Sequence, residues 1–197
     1  EKTMKGIEAM IKGGVTAIEI TFSVPNAVAV IKAVKERFGD GILLGAGTVL
    51  NPSDAAGAVG AGAEYIVAPN TNPEVIGISK RLGVPVMPGA FTPTEVVAAW
   101  AAGADVVKIF PASVGGPDYI KALKGPLPHI PMLPTGGVND KTAAPFIEAG
   151  AFALGAGSNL FDAKLLAAED WKGLTDLASR FMEGVRTARA KLAEKKK

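Results

Sequence analysis

Short apolar runs alternate with helical stretches along the chain, and glycine-containing turns separate the two at a regular spacing. Gly62, Gly83 and Gly103 mark three successive turns that lie 20 or 21 residues apart. Glycine adopts the left-handed conformation that ends a helix at little steric cost, which suits it to each helix-to-strand turn. The pattern predicts strands at residues 15–22, 42–48, 65–69, 85–90, 106–110, 132–135 and 151–155.

Helices are predicted between these strands, and several carry clear start signals. Thr92 offers an N-cap, Pro93 suits the first helical position, and Glu95 completes a capping box. The same start pattern recurs at residues 51–54 and 72–74. We therefore expect helix and strand to alternate along the chain.

Repeated strand-then-helix units with nearly continuous apolar strands are typical of a parallel sheet covered by helices. A doubly wound sheet and a barrel both satisfy this pattern; the regular spacing, with polar residues at many strand ends, favours the barrel. The prediction is an α/β fold, a (β/α)8 TIM barrel. Seven strands are read and the chain opens on a helix at 2–12, so the first strand is expected to be missing from this chain. No linker divides residues 1–197, which predicts a single domain with a C-terminal helix at about 163–194.

The amino-acid composition excludes several kinds of site and partner. The chain has 197 residues, no cysteine and one histidine, so disulfides, zinc–thiolate sites and multi-histidine metal sites are excluded. A net charge of +2 is too small to indicate nucleic acid or a membrane surface as a partner. No apolar run is long enough to span a bilayer. A reducing, cytoplasmic location is expected.

The run at residues 106–111 is apolar except for Lys108 at its centre. An ammonium group in an apolar strand is costly, and desolvation favours the neutral amine, which is a nucleophile. Alternation along the first strand places Glu19 on the face opposite Ile18 and Ile20, pointing inward in a barrel. This pair indicates Schiff-base chemistry, with Lys108 as nucleophile and Glu19 as proton shuttle. A buried salt bridge between the two is the alternative.

Two glycine-rich loops follow the last two predicted strands, at residues 135–138 and 155–159. Glycines let backbone N–H groups approach an anion, a helix N-terminus adds a favourable dipole, and barrel enzymes often bind phosphate at these loops. The alternative is that both are tight turns only. Pro69 ends another strand near the expected mouth of the barrel, where it would make a loop around a ligand rigid.

Six motifs follow one another in order over nearly the whole chain: Ile18-Glu19-Ile20-Thr21, Gly45-Ala46-Gly47-Thr48-Val49, Met87-Pro88-Gly89, Val107-Lys108-Ile109-Phe110-Pro111-Ala112, Pro134-Thr135-Gly136-Gly137-Val138 and Gly155-Ala156-Gly157-Ser158. Together they resemble those of the 2-keto-3-deoxy-6-phosphogluconate aldolases, a family that includes the 4-hydroxy-2-oxoglutarate aldolases. The lysine strand and the Thr-Gly-Gly loop are the most specific of them.

The resemblance implies a class I aldolase on a (β/α)8 barrel, without metal or other cofactor and typically a homotrimer. It implies cleavage of a phosphorylated keto sugar acid to pyruvate and glyceraldehyde 3-phosphate, or of 4-hydroxy-2-oxoglutarate to pyruvate and glyoxylate. The same resemblance assigns roles to the matching residues: Lys108 as Schiff-base lysine, Glu19 as general acid and base, Thr48 on the pyruvate carboxylate, Gly136, Gly137 and Ser158 (with Gly157 beside it) on the phosphate, and Thr135 and Phe110 lining the site.

Two other functions are kept as hypotheses. The chain could be an engineered or truncated barrel that serves as a self-assembling structural subunit with little activity. It could also be a phosphate-binding isomerase or synthase in which Lys108 only pairs with Glu19. Native mass spectrometry together with turnover tests the structural subunit, and covalent trapping of pyruvate on Lys108 separates the isomerase or synthase from the aldolase.

Overall fold

A computed structural model describes residues 1–194 of the chain. Its α-helices are α1 (Lys2–Lys12), α2 (Ala27–Phe38), α3 (Pro52–Gly60), α4 (Pro73–Arg81), α5 (Pro93–Ala101), α6 (Gly116–Lys124), α7 (Ala143–Glu148), α8 (Ala163–Ala167) and α9 (Trp171–Glu194). Its strands are β1 (Ala17–Thr21), β2 (Leu43–Gly47), β3 (Tyr65–Val67), β4 (Val86–Met87), β5 (Gly89–Ala90), β6 (Val107–Ile109) and β7 (Met132–Pro134).

The predicted helix starts are confirmed. Thr92 and Glu95 form the capping box at the start of α5, with proline at the first helical position. Asn51 caps α3 by accepting a hydrogen bond from the Asp54 backbone N–H, and Asn72 caps α4 in the same way. The local sequence therefore sets these helix starts.

Strands form in every predicted region except the last, and the region at 85–90 is divided at Pro88 into β4 and β5. The predicted strand at 151–155 is wrong. This segment runs beside β7, since the Phe152 N–H bonds to the Met132 carbonyl at 2.9 Å, but only Gly155 forms a ladder bridge, to Thr135. It contains no β-branched residue, and its Phe152 side chain is 60% exposed, so little packing favours a regular strand.

The expected C-terminal helix at 163–194 is divided into α8 and α9. The break lies at residues 168–170, where Glu169 has a φ of 55°. Asp162 caps α8, and the Asp170 carboxylate accepts a hydrogen bond from the Gly173 N–H at 2.8 Å near the start of α9. A second N-terminal capping residue inside the expected helix explains the break.

The described chain forms two compact units. The central unit is Thr16–Ile109, and the terminal unit combines Glu1–Val15 with residues 110–194. The single domain over 1–197 stays a prediction.

In the central unit, β1 to β4 form a parallel sheet in sequence order, and β5 pairs with β6, also in parallel. Ile18 and Ile20 are buried, while Ala17, Glu19 and Thr21 alternate with them on the other face, as predicted. The core of this unit lies between the strands and helices α2 to α5, with Ile31, Leu44, Ile66 and Ile76 among its most buried side chains.

In the central unit, a carboxylate just before one strand accepts a hydrogen bond from a backbone N–H group near the start of another strand. Glu64, just before β3, accepts a hydrogen bond from the Leu44 N–H of β2 at 3.2 Å and pairs with Lys35 of α2. Asp105, before β6, accepts one from the Val86 N–H of β4 at 2.9 Å and pairs with Lys80 of α4. These repeated contacts fix the strand register that positions the candidate site.

In the terminal unit, α9 packs on α1 and α7, and Leu174 and Ala178 of α9 are fully buried. Gly13 permits this packing, because a Cβ there would overlap the Cβ of Ala178. None of the helices within residues 1–194 has the length and apolar character needed to cross a membrane.

Candidate active site

Lys108 lies at the centre of β6, and its residue surface is 6% exposed. Its N–H donates to the Pro88 carbonyl at 2.9 Å, and Gly89 of β5 is its partner in the ladder. Burial lowers the pKa of the Lys108 amine, while the negative charge of Glu19 acts in the opposite direction. Because burial is the larger effect, a greater fraction of the amine is neutral and nucleophilic than in an exposed lysine.

Glu19 projects from β1 on the face opposite the buried isoleucines. Water reaches its side chain, yet protein atoms surround it closely enough that desolvation raises the pKa of its carboxyl group; the Lys108 ammonium opposes this effect. A carboxyl group with a raised pKa exchanges protons nearer to neutral pH than an ordinary glutamate. The structure thus brings Lys108 and Glu19 close enough to act on each other's pKa, as the sequence predicts.

Two glycines of β2 make room for the side chains that neighbouring strands contribute. A Cβ at Gly47 would overlap Oε1 and Cδ of Glu19, so the carboxyl group lies directly over this glycine. A Cβ at Gly45 would overlap the ring of Tyr65 on β3. The Gly45-Ala46-Gly47 sequence is therefore required by the packing of this face.

Replacing Gly47 by alanine is expected to lower aldol activity on the order of 100-fold, because the new methyl group displaces the Glu19 carboxyl group by more than an ångström. The free energy of unfolding should change little, because the atoms that must move are the outer end of a flexible side chain. Gly60→Ala is the matched control, since a Cβ at Gly60 meets nothing within 4 Å. Steady-state kinetics and urea denaturation measure both effects, and equal activities of the two variants would contradict the expectation.

Thr48 follows β2 directly and has a φ of 57°. This left-handed conformation is rare for a β-branched residue and costs on the order of 1–3 kcal/mol. The surrounding structure holds it in place, since the next residue, Val49, donates its N–H to the Val67 carbonyl at 3.2 Å. Strain of this kind concentrates at functional sites, which agrees with the prediction that Thr48 contacts substrate.

Pro69 lies just beyond β3, against β5. A Cβ at Gly89 would overlap the Pro69 carbonyl group, and the Gly89 N–H donates to the Asn70 carbonyl at 3.1 Å. Because Gly89 is the ladder partner of Lys108, Pro69 borders the strand pair that carries the nucleophile. Glu19, Thr48, Pro69 and Lys108 all belong to the central unit.

The remaining predicted site residues belong to the terminal unit. Thr135 follows β7, and within residues 1–194 its buried Oγ1 has no hydrogen-bond partner. A buried hydroxyl without a partner is unfavourable unless a ligand or water bonds to it. Phe110 is 40% exposed, and its ring edge lies 3.6 Å from the position that a Cβ on Gly136 would occupy.

The two glycine-rich loops begin side by side, because Thr135 and Gly155, at their starts, form a parallel bridge. Gly136 and Gly137 have φ values of 91° and 75°. Glycine alone adopts such successive positive φ values at little cost, and without a Cβ it lets the loop N–H groups approach an anion closely. In the described part of the chain, the N–H groups of Gly136, Gly137, Gly157 and Ser158 donate to no protein acceptor.

The expected helix N-terminus at these loops is not found. The first α-helix after Gly137 begins at Ala143, and the first after Ser158 begins at Ala163. Turns stabilised by local hydrogen bonds intervene, such as the bond from the Thr142 hydroxyl to the Gly137 carbonyl at 3.0 Å. Any anion here would rest on the loop N–H groups rather than on a helix dipole.

Sequence reasoning missed Tyr65, which is buried on the same face as Glu19 and whose pKa is raised by burial and by the charge of Glu19. The only signal was the glycine at position 45, which makes room for its ring. No three carboxylate or histidine side chains among residues 1–194 come together in a way that could hold a metal ion.

Comparisons with known proteins identify relatives of this chain. A family model described as KDPG and KHG aldolase matches residues 1–177. The 2-dehydro-3-deoxy-6-phosphogalactonate aldolase of Escherichia coli (strain K12) is 40% identical over 164 residues, 83% of this chain and 80% of that protein. The 2-dehydro-3-deoxy-phosphogluconate aldolase of Treponema pallidum (strain Nichols) is 35% identical over 176 residues, 89% of this chain and 83% of that protein.

Solved structures are similar over almost the whole chain. One described as the native KDPGal structure has a TM-score of 0.88 and 36% identity, covering 96% of this chain and 90% of that chain. A cube-shaped, highly porous protein cage designed by fusing symmetric oligomeric domains has a TM-score of 0.89 and 35% identity, covering 99% of this chain and 71% of that chain. Together with the parallel strands, the likeness to aldolase structures confirms the predicted α/β barrel fold class.

Proposed function

Because the chain belongs to the KDPG and KHG aldolase family, we propose that it is a class I aldolase that releases pyruvate from a 2-keto acid bound to Lys108. The observation that carries the proposal is the buried lysine with a lowered pKa beside a carboxyl group with a raised pKa. Imine formation needs a neutral amine, and carbon–carbon cleavage needs a base that can also return the proton. Lys108 and Glu19 meet these two needs.

In the proposed reaction, the Lys108 amine adds to the keto carbon C2, and loss of water gives a protonated imine. Glu19 then takes the proton of the C4 hydroxyl group as the C3–C4 bond breaks. The electron pair of that bond moves into the imine, which becomes an enamine, and the aldehyde leaves. Glu19 protonates C3, and water releases pyruvate and restores the amine.

Thr48 is proposed to bind the carboxylate of the pyruvate half. Its strained backbone supports this role, because a fixed hydroxyl and N–H orient a substrate better than mobile ones. Pro69 borders the same strands and would limit the movement of the bound keto acid.

The preferred substrate is proposed to carry a phosphate group. The support comes from the terminal unit, where the loop N–H groups of Gly136, Gly137, Gly157 and Ser158 have no protein acceptor in the described chain. Thr135 and Phe110 would line this site, and the buried Thr135 hydroxyl would bond to the substrate. A phosphate ester stays inside the cell because its charge prevents passage through a membrane, which supports a cytoplasmic reaction.

The test is covalent trapping. The chain is incubated with pyruvate and cyanoborohydride, and tryptic peptides are examined by mass spectrometry for a reduced adduct on Lys108. Cleavage rates are then compared for 2-keto-3-deoxy-6-phosphogluconate, its C4 epimer and 4-hydroxy-2-oxoglutarate. We expect the adduct on Lys108 and a higher kcat/KM for the phosphorylated acids; an unmodified Lys108 would overturn the proposal.

A homotrimer is proposed as the assembly. Exposed apolar side chains on α5, Val97 and Trp100, form a surface that a second copy could cover. The likeness to a cage built from symmetric oligomeric domains also supports self-association. Native mass spectrometry should give three times the chain mass of 20.1 kDa. Larger assemblies without turnover would instead favour a structural subunit, and monomers would contradict the trimer.

A further inference from the structure

Three residues lie in register across neighbouring parallel strands of the central unit: Glu19 on β1, Gly45 on β2 and Tyr65 on β3. Residues in register on adjacent strands point their side chains to the same face of a sheet. Tyr65 therefore shares the face that carries the candidate proton shuttle, and only a glycine separates the two residues.

The Tyr65 ring occupies the space that Gly45 leaves empty. The ring atoms that a Cβ on Gly45 would overlap are Cε2 and Cζ, at the outer end of the side chain. The outer end of the ring thus lies over β2. Because the hydroxyl group is attached to Cζ, it lies close to β2, the strand between β3 and the strand that carries Glu19.

The Glu19 carboxyl group lies over Gly47, two residues farther along β2 than the ring of Tyr65. Two residues of a strand span about 7 Å. One bridging water, or a rotation of the flexible glutamate side chain, closes a distance of this size with hydrogen bonds. The Tyr65 hydroxyl group can thus reach the Glu19 carboxyl group through a bridging water or a rotation of the glutamate side chain.

Resting on the proposed function, we infer that Tyr65 is a positioning residue for the aldol reaction: its hydroxyl group donates a hydrogen bond to the ionised Glu19 carboxylate, directly or through one water. This bond would stabilise the carboxylate relative to the carboxylic acid. It would also set the pH range in which Glu19 can take the proton from the C4 hydroxyl group.

The environment keeps the phenol protonated. Burial raises the pKa of Tyr65, and the charge of Glu19 raises it further, so the hydroxyl group remains a donor whenever Glu19 is ionised. Among the described residues, Lys108 from β6 is the titratable group whose charge acts on Glu19, and Glu19 in turn acts on Tyr65 from β3. The charge at Lys108 changes during the cycle, because its nitrogen is neutral in the amine and the enamine and positive in the protonated imine, whereas Tyr65 supplies a neutral donor that stays constant.

The test is Tyr65→Phe, which keeps the ring over Gly45 and removes only the hydroxyl group. Without the donor the carboxylate is less stable relative to the carboxylic acid, so the pKa of Glu19 should rise. The acid limb of the kcat–pH profile should therefore move to higher pH by roughly half to one unit. Carbon-13 NMR of glutamate labelled at Cδ, with the Glu19 signal assigned by Glu19→Gln, should show the same shift in the enzyme without substrate.

The controls separate this role from simple packing. Tyr119→Phe removes the other tyrosine hydroxyl of the chain and should leave the profile unchanged. Tyr65→Leu removes ring and hydroxyl together, and should add a loss of stability to the pH shift. A Tyr65→Phe enzyme whose activity falls equally at every pH, with an unmoved Glu19 titration, would overturn the inference.

Failure of the inference and failure of the proposed function are distinguishable. If pyruvate is trapped on Lys108 but the Glu19 titration is the same with and without the Tyr65 hydroxyl, only the role of Tyr65 is wrong. If no adduct forms on Lys108, the aldolase proposal itself fails, whatever the NMR titration shows.

Discussion

Replacing Lys108 by methionine is expected to abolish covalent trapping of pyruvate and to lower aldol cleavage by on the order of 10⁴-fold or more. No other described residue combines a buried amine with a carboxyl group beside it on the same face. The side chain volumes are similar, so the cavity stays filled. Mass spectrometry after reduction and steady-state kinetics measure the two losses.

The same substitution should not destabilise the protein. Burial already disfavours the ammonium group, as the lowered pKa of Lys108 indicates, and methionine has no charge to desolvate. Glu19 loses its attractive partner, but its carboxyl group, already inclined to hold a proton, can become neutral. Replacing both residues, Lys108→Met with Glu19→Gln, should likewise not lower the free energy of unfolding, because neither new side chain carries a charge to desolvate.

Lys124 provides a matched control, because burial lowers its pKa as well. Its ammonium group donates to the carbonyl groups of Pro128 and Ile130, both at 2.9 Å, in the connection that leads to β7. Lys124→Met should therefore lose stability and keep the adduct on Lys108, the reverse of Lys108→Met. An adduct that still forms after Lys108→Met would contradict the assignment of Lys108 as the nucleophile. So would an adduct found on Lys124 in the unsubstituted chain.

The pairing of Lys108 with Glu19 could be predicted from sequence because it depends on simple rules. Side chains alternate along strands, and parallel strands of one unit place their residues in register. A lone charge in an apolar strand also stands out from the chain around it. These rules act locally, and the structure follows the alternation in β1, while all three residues of β6 are buried.

Other features could not be predicted, since they depend on which segments lie next to each other in the folded chain rather than on residue type. Tyr65 begins its strand like any aromatic residue, and its role depends on the glycine opposite, which only the register of β2 and β3 reveals. The segment at 151–155 has a strand-like apolar pattern but forms one bridge only. The break at Glu169 was not predicted because the sequence on both sides of it has good helical periodicity.

Replacing Glu19 by glutamine is expected to change the two steps of the reaction in opposite directions. The charge of Glu19 now raises the pKa of Lys108 against the larger effect of burial. Without that charge the pKa of Lys108 falls further, so the neutral amine persists to lower pH and the midpoint of pyruvate trapping moves down the pH scale. Cleavage should nevertheless fall by about 10²–10⁴-fold, because glutamine cannot take the C4 hydroxyl proton.

This divergence separates a proton shuttle from a simple salt bridge. If Glu19 only pairs with Lys108, its loss frees the amine and cleavage is unchanged or faster at neutral pH. Glu64→Gln is the matched control, because Glu64 is another glutamate of the central unit but pairs with Lys35. It should leave the trapping midpoint in place. Trapping as a function of pH, followed by mass spectrometry, and pyruvate release in the cleavage direction measure the two steps separately. A Glu19→Gln enzyme that traps pyruvate at lower pH and still cleaves at the parent rate would return Glu19 to a structural role.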